Sequence, residues 1–249
     1  MTENLIEVGK KNAAIKAVDE NVKNNMIIGI GSGSTVVYAV QRLGEINKEK
    51  SMNLKCIPSS FQAYQLIIQN RLELVSLVQF QEIDIDIDGA DEIDKNLNLI
   101  KGGGGCLVQE KIVASNSKEM IIIADFRKNS ETLGMKWKKG IPIEVIPMSY
   151  LPIMNKLEKL GGKPTLRMAK SKSGPLITDN GNFIIDVDFG EISNPGELNM
   201  DFLKIAGVVD TGLFINMASK AYIGLEDGNV LTLKKNKILV VKKIFYSSC

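Results

Sequence analysis

Residues 82–111, EIDIDIDGADEIDKNLNLIKGGGGCLVQEK, place seven carboxylates between Glu82 and Asp94, then Lys101, four consecutive glycines and Glu110. Carboxylates accept hydrogen bonds from hydroxyls, an ammonium group stabilises a developing negative oxygen, and a Glu held in an apolar setting transfers protons. The chain contains no His. That excludes Ser-His-Asp and Cys-His catalysis and leaves acid–base work to Asp, Glu, Lys, Tyr or Cys.

Three readings of the acidic run compete. Asp84, Asp86, Asp88 and Gly89 match the start of an EF-hand loop, but the twelfth position is Lys95 and the alternating isoleucines build a strand. An exposed edge strand would carry Asp84 and Asp86 opposite Ile83, Ile85 and Ile87 as protection against strand pairing. A sugar site would use Asp88 and Asp91, which flank Gly89-Ala90 where the strand ends.

A second candidate is Gly29-Ile30-Gly31-Ser32-Gly33-Ser34-Thr35, between a short apolar strand and VVYAVQRLGEI. A glycine- and serine-rich turn into a helix start is a natural phosphate cradle. The dinucleotide fingerprint G-x-G-x-x-G is not met: Val36 or Ser34 stands at the third glycine position, and the next strand ends in Ser59-Ser60, not an acidic residue. A plain N-cap by Ser34 or Thr35 is the simpler reading and is compatible with a phosphate site.

Glu110 shares a helix face with Cys106, Leu107, Val113 and Ala114. On that face it points inward and its pKa rises by desolvation, which suits a general base. The alternative is a Glu at the edge of an amphipathic helix, touching solvent.

These residues need elements to hold them. Helical spacing predicts a helix over 3–24, a strand at 26–30, a helix after Thr35, a helix over 61–72 and a strand over 72–77. Further strands follow at 83–88 and at 120–128, the latter ending in Lys128, with the Glu110 helix between them. Alternating strands and helices imply a parallel, helix-covered sheet whose ligands bind at the carboxyl ends of strands. From 141 the order is β-α-β-β-α-β, the ferredoxin-like pattern, with VVDTGLFIN as its last strand. The expected fold class is therefore α/β: a mostly parallel Rossmann-like sheet domain (1–137 and 217–249) with a smaller ferredoxin-like α+β domain (138–216). The basic tail 236–249 has no assigned role.

The net charge of +2 over 249 residues gives no prior for nucleic acid. No apolar run reaches the roughly 20 residues of a membrane helix. Cys56, Cys106 and Cys249 form no C-x-x-C pair and read as reduced thiols of a cytosol-like compartment. The expectation is a cytoplasmic protein.

The stretches GIGSGSTV, DIDGADEID and IKGGGGCLVQEKIVA, with IIIAD, EVIPM, LGGKPTLR and TDNGN, closely resemble ribose-5-phosphate isomerase of the A type, from about residue 10 to about 235. The resemblance implies an aldose–ketose isomerase of the pentose phosphate pathway working through an enediol, with no metal and no cofactor. It implies Glu110 as base, with Asp88, Asp91 and Lys101 as further catalytic groups. Substrate would be bound by Ser32, Gly33, Ser34 and Thr35, by Asp88, Gly89, Ala90 and Asp91, by Lys101, Gly102, Gly103 and Gly104, and by Lys128. Ser32 stands where the family usually has Thr, and Cys106 where it usually has a small residue. The implied partners are a phosphosugar substrate and a second or fourth copy of the chain, as homodimer or homotetramer, with neither nucleic acid nor membrane. Two rivals remain: a non-catalytic sugar-phosphate sensor, which would not need Glu110 or Lys101, and a nucleotide-dependent oxidoreductase, which the glycine spacing disfavours.

Overall fold

The computed structural model describes residues 2–235; the tail 236–249, and with it Cys249, lies outside the described residues. In chain order come α1 (Thr2–Asn21), β1 (Ile27–Ile30), α2 (Ser34–Glu49), β2 (Lys55–Pro58), α3 (Phe61–Gln69) and β3 (Glu73–Leu74). Next are β4 (Ile83–Asp88), β5 (Glu92–Ile93), β6 (Leu99–Ile100), α4 (Leu107–Ser115) and β7 (Ser117–Asp125). The second half holds β8 (Ile141–Val145), α5 (Tyr150–Lys159), β9 (Lys163–Leu166), β10 (Phe183–Asp188), α6 (Pro195–Leu203), β11 (Val208–Thr211), β12 (Leu213–Phe214), β13 (Ala218–Gly224) and β14 (Val230–Lys234).

Seven strands form one sheet in the order β14-β13-β7-β4-β1-β2-β3, parallel except for the β13–β14 hairpin. Helices α2, α3 and α4 lie in its β1–β2, β2–β3 and β4–β7 crossovers, while α1 precedes the first strand and packs on the sheet. Ala13, Ala14, Ala17 and Val18 of α1 pack beside Ile28, Ile30, Ile85, Ile87, Ile121 and Ile123 of the central strands. Small residues on α1 let the helix approach the sheet, and each buried Ile contributes about 1.5–3 kcal/mol relative to exposure.

The β8-α5-β9-β10-α6-β11 run folds into a separate antiparallel sheet of order β11-β8-β10-β9. The α/β class read from the pattern, a mostly parallel helix-covered sheet with a smaller α+β part, is the observed one. No helix among the described residues is long and apolar enough to cross a membrane.

Three local expectations are corrected. The strand expected over 72–77 is only two residues long. The strand expected to run to Lys128 stops at Asp125, whose carboxylate accepts from the Arg127 N–H and caps a one-turn helix, Phe126–Lys128. VVDTGLFIN is two strands in different sheets: β11 pairs with β8, while β12 pairs with β6 in a three-stranded sheet, β12-β6-β5. The chain switches sheets at Gly212, where a Cβ would lie 2.3 Å from the Lys101 carbonyl oxygen. The edge-strand reading also fails, because β4 lies between β7 and β1 in the middle of the sheet.

Candidate active site

Three strand exits meet at one cavity of about 200 Å3. The loop after β1 brings Ser32, Gly33, Ser34 and Thr35; the turn after β4 brings Gly89, Ala90 and Asp91; the segment after β7 brings Lys128. Lys101, Gly102, Gly103, Gly104 and Glu110 complete the wall. Every residue expected at the site therefore lines it except Asp88, which lies directly beneath, fully buried.

Lys101 is the hub. It is 2% exposed, and its backbone N–H donates to the carbonyl of Gly212 at 2.8 Å, at the point where the chain switches sheets. Its Nζ donates to the Gly89 carbonyl at 2.7 Å and stands 2.8 Å from Asp88 Oδ2 and 3.4 Å from Glu110 Oε2. Burial alone would lower its pKa; the Asp88 and Glu110 carboxylates outweigh that and hold the ammonium charged far above neutrality.

Glu110 projects from the first turn of α4 and is 4% exposed. Burial pushes its carboxyl up, Asp88 adds like-charge repulsion, and Lys101 offsets part of the rise; the net is a pKa of about 8. The inward-pointing reading of this Glu is the observed one. Its Oε2 has no aligned hydrogen-bond donor among the described residues, and neither does Asp88 Oδ2. Asp88 Oδ1, by contrast, is engaged by the N–H groups of Ser32 at 3.0 Å and Gly89 at 2.7 Å. Asp91 accepts from the Gly103 N–H at 2.7 Å, and its carboxyl is raised, chiefly by burial.

The α2 end of the cavity has the features of an anion cradle. The N-cap is Gly33, with no side-chain cap, so the simple N-cap by Ser34 or Thr35 is not formed. The Gly33 N–H donates to Gln62 Oε1 at 2.9 Å, while Ser32 Oγ bonds to Ser60 Oγ at 2.7 Å. The remaining amides of the first turn, with the dipole of a 16-residue helix, favour a negative ligand.

Sequence reasoning missed several lining residues. Lys10 comes from α1, is nearly buried, and pairs with Glu7 at 2.7 Å. Nothing local in a Lys/Asn/Ala helix signals a site; only the packing of α1 on the sheet brings it there. Asp125 and Arg127 pair with each other at the exit of β7 and could have been found by applying the strand-exit rule to IIIAD. Cys106 also lines the cavity, and burial pushes its thiol up to about 11, so it is not a thiolate at neutral pH.

One carboxylate was misread. Asp86 is 1% exposed, neither of its oxygens has a hydrogen-bond partner among the described residues, and burial raises its pKa well above the ordinary range, with Asp88 adding to the rise. Asp84 is half-buried; it accepts from the Ile27 N–H at 2.9 Å and pairs with Lys118 at 2.9 Å.

Comparison with known proteins gives concordant matches. Residues 55–228 match the family model described as ribose 5-phosphate isomerase A (phosphoriboisomerase A). A ribose-5-phosphate isomerase of Sus scrofa is 57% identical over 225 residues, which is 90% of this chain and 74% of that one. The structure of ribose 5-phosphate isomerase A from Methanocaldococcus jannaschii superposes with a TM-score of 0.86 at 41% identity, covering 94% of this chain and 100% of the other. A D-ribose-5-phosphate isomerase solved in complex with phospho-erythronic acid superposes with a TM-score of 0.88 at 39% identity, covering 92% and 99%.

Proposed function

The chain belongs to the ribose 5-phosphate isomerase A family and interconverts ribose 5-phosphate and ribulose 5-phosphate in the pentose phosphate pathway, and from that premise we propose how its side chains divide the work. Glu110 takes the C2 proton of the open-chain aldose and returns it to C1. The negative charge that develops on the C1 oxygen is met by the Lys101 ammonium, helped by backbone N–H groups of the glycine run. Asp88 or Asp91 assists opening of the furanose ring. The phosphate lies at the α2 N-terminus over Ser32–Thr35, with Lys128 and Lys10 supplying positive charge. The hydroxyl proton on O2 passes to O1 as C2 becomes the ketose carbonyl, which completes the exchange.

The observation that carries this reading is the contact of one buried ammonium with both Asp88 and Glu110 at the cavity floor. A sugar-phosphate sensor would have no use for a buried base whose pKa is tuned to neutrality. Assembly as a homodimer or homotetramer, and a cytosolic location, belong to the same proposal.

Incubation with ribose 5-phosphate in heavy water tests it. Ketose formation with deuterium incorporation is expected from the unaltered chain, and Glu110→Gln should slow both by about 10²-fold or more. Turnover by Glu110→Gln near the unaltered rate would remove Glu110 from the role of base.

A further inference from the structure

The glycine run is gripped from outside the cavity by a residue of the small sheet. Arg167, immediately after β9, donates from one guanidinium nitrogen to the carbonyl of Gly102 at 2.9 Å and to that of Gly103 at 3.3 Å. Its remaining nitrogens form a two-pronged pair with Asp186 of β10, including Nε to Oδ2 at 2.8 Å. The planar fork is thereby fixed in orientation, which a Lys ammonium would not achieve.

The direction of the grip matters because peptide units are planar and trans, with C=O and N–H on opposite sides, and none here is cis. In the Gly102–Gly103 peptide the carbonyl faces Arg167 and the N–H donates to Asp91, a cavity-wall residue. Arg167 and the cavity thus lie on opposite sides of the loop. In the next peptide the Gly103 carbonyl also faces Arg167, so the Gly104 N–H is directed to the cavity side. That N–H has no acceptor among the described residues.

We propose that Arg167, oriented by Asp186, is a positioning residue that holds the Gly102–Gly104 peptides so that the Gly104 N–H meets the enediolate oxygen beside Lys101. Glycines alone would leave these peptides free to rotate; Arg167 removes that freedom from a layer that never touches substrate. The inference rests on the isomerase mechanism above and adds the small sheet to it.

The test uses the full chain with Arg167→Ala, Arg167→Lys and Asp186→Asn. Removing an oxyanion donor typically costs 10²–10³-fold, and a donor left loose should cost roughly 10–100-fold in kcat. Affinity for inorganic phosphate should stay within about twofold, while phospho-erythronic acid, whose planar carboxylate mimics the enediolate, should bind more weakly by about the same factor as kcat falls. Guanidinium ion should restore part of the kcat of Arg167→Ala but not of Asp186→Asn. Unchanged kcat in Arg167→Ala overturns the proposal. So does an equal loss of affinity for phosphate and phospho-erythronic acid, which would mean a general collapse of the site. If Arg167→Ala does not fold, Asp186→Asn and Arg167→Lys decide by the same readouts. An unaltered chain without turnover would instead overturn the isomerase mechanism itself.

Discussion

Lys101 holds its ammonium 3.4 Å from the Glu110 carboxylate, yet Glu110 still titrates near 8. An opposite charge that close ordinarily lowers a carboxyl pKa. Here burial and the neighbouring Asp88 outweigh it. The pair is a base poised near neutral pH beside a cation that stays charged, two requirements of an enediolate mechanism that conflict in water.

The pH dependence follows from that balance. Glu110 must be ionised to accept a proton, so kcat/KM should rise with pH and level off above about 8. Lys101 keeps its proton well beyond that point and adds no alkaline limb. Glu110→Gln should cost about 10²-fold or more in kcat. A pH–rate profile flat from 6 to 9 in the unaltered enzyme would contradict the assignment.

Replacing Lys101 by Met should be more damaging than a lost contact implies. It would leave Asp88 and Glu110 buried without their shared cation, and breaking a buried ion pair from one side costs about 3–5 kcal/mol. Glu110 should then titrate higher still, because Lys101 is what lowers it. Urea denaturation at pH 8 should show the loss, and lowering the pH to 5, where Glu110 takes up its proton, should recover part of it.

Asp86 predicts a pH-dependent stability with an unusual sign. Its folded pKa is raised, so its contribution to stability is fully present below the unfolded value of about 3.9 and is lost as pH rises through the folded value. A buried carboxyl with no partner costs about 1–3 kcal/mol. Asp86→Ala should therefore raise the urea midpoint at pH 8 and have a smaller effect at pH 4. Equal effects at both pH values would mean that Asp86 is solvated.

Asp86 also marks where the sequence stops being readable. Period-two alternation separates Ile from Asp, but in a parallel sheet covered on both faces the polar side is buried too. Only the packing of α4 reveals this: Val113 and Asp86 both crowd the position of a Cβ on Gly29. The strand exits were legible because turn chemistry is local: GSGST, DGAD and KGGGG each announce a backbone that bends toward a ligand. Lys10 and Arg167 were not, since each reaches the site across a tertiary interface that no local pattern encodes.

Glu144 tests how far the small sheet depends on one buried carboxyl group. This fully buried residue of β8 accepts at one oxygen from Thr178 Oγ1, Asn180 Nδ2 and Asn182 Nδ2, each at 2.9 Å. The same turn reaches α4 through Asn180 Oδ1, which accepts from Gln109 at 2.9 Å. Glu144→Ala would leave three donors without their acceptor, and each buried donor left unsatisfied costs about 1–3 kcal/mol. A loss of at least about 3 kcal/mol in urea denaturation is expected. A loss under about 1 kcal/mol would mean that water replaces the carboxylate.

Gly31→Ala should separate catalysis from stability. A Cβ on residue 31 would lie 1.9 Å from Asp88 Oδ1 and 2.5 Å from Asp88 Cβ. The two central strands are locked by parallel pairing of Ile28–Ile30 with Ile85–Ile87, so the Asp88 side chain has to give way. Its move would break the bond from the Ser32 N–H and draw Asp88 from Lys101, loosening both the phosphate turn and the cation at the cavity floor. Overpacking of this kind costs about 1–3 kcal/mol, which a domain of ordinary stability survives. The displacement of Asp88 and Lys101 should still cost about 10²-fold in kcat/KM. Kinetics at a temperature where circular dichroism shows the variant folded would decide; near-normal kcat/KM would mean that neither Asp88 nor its hold on Lys101 matters to the reaction.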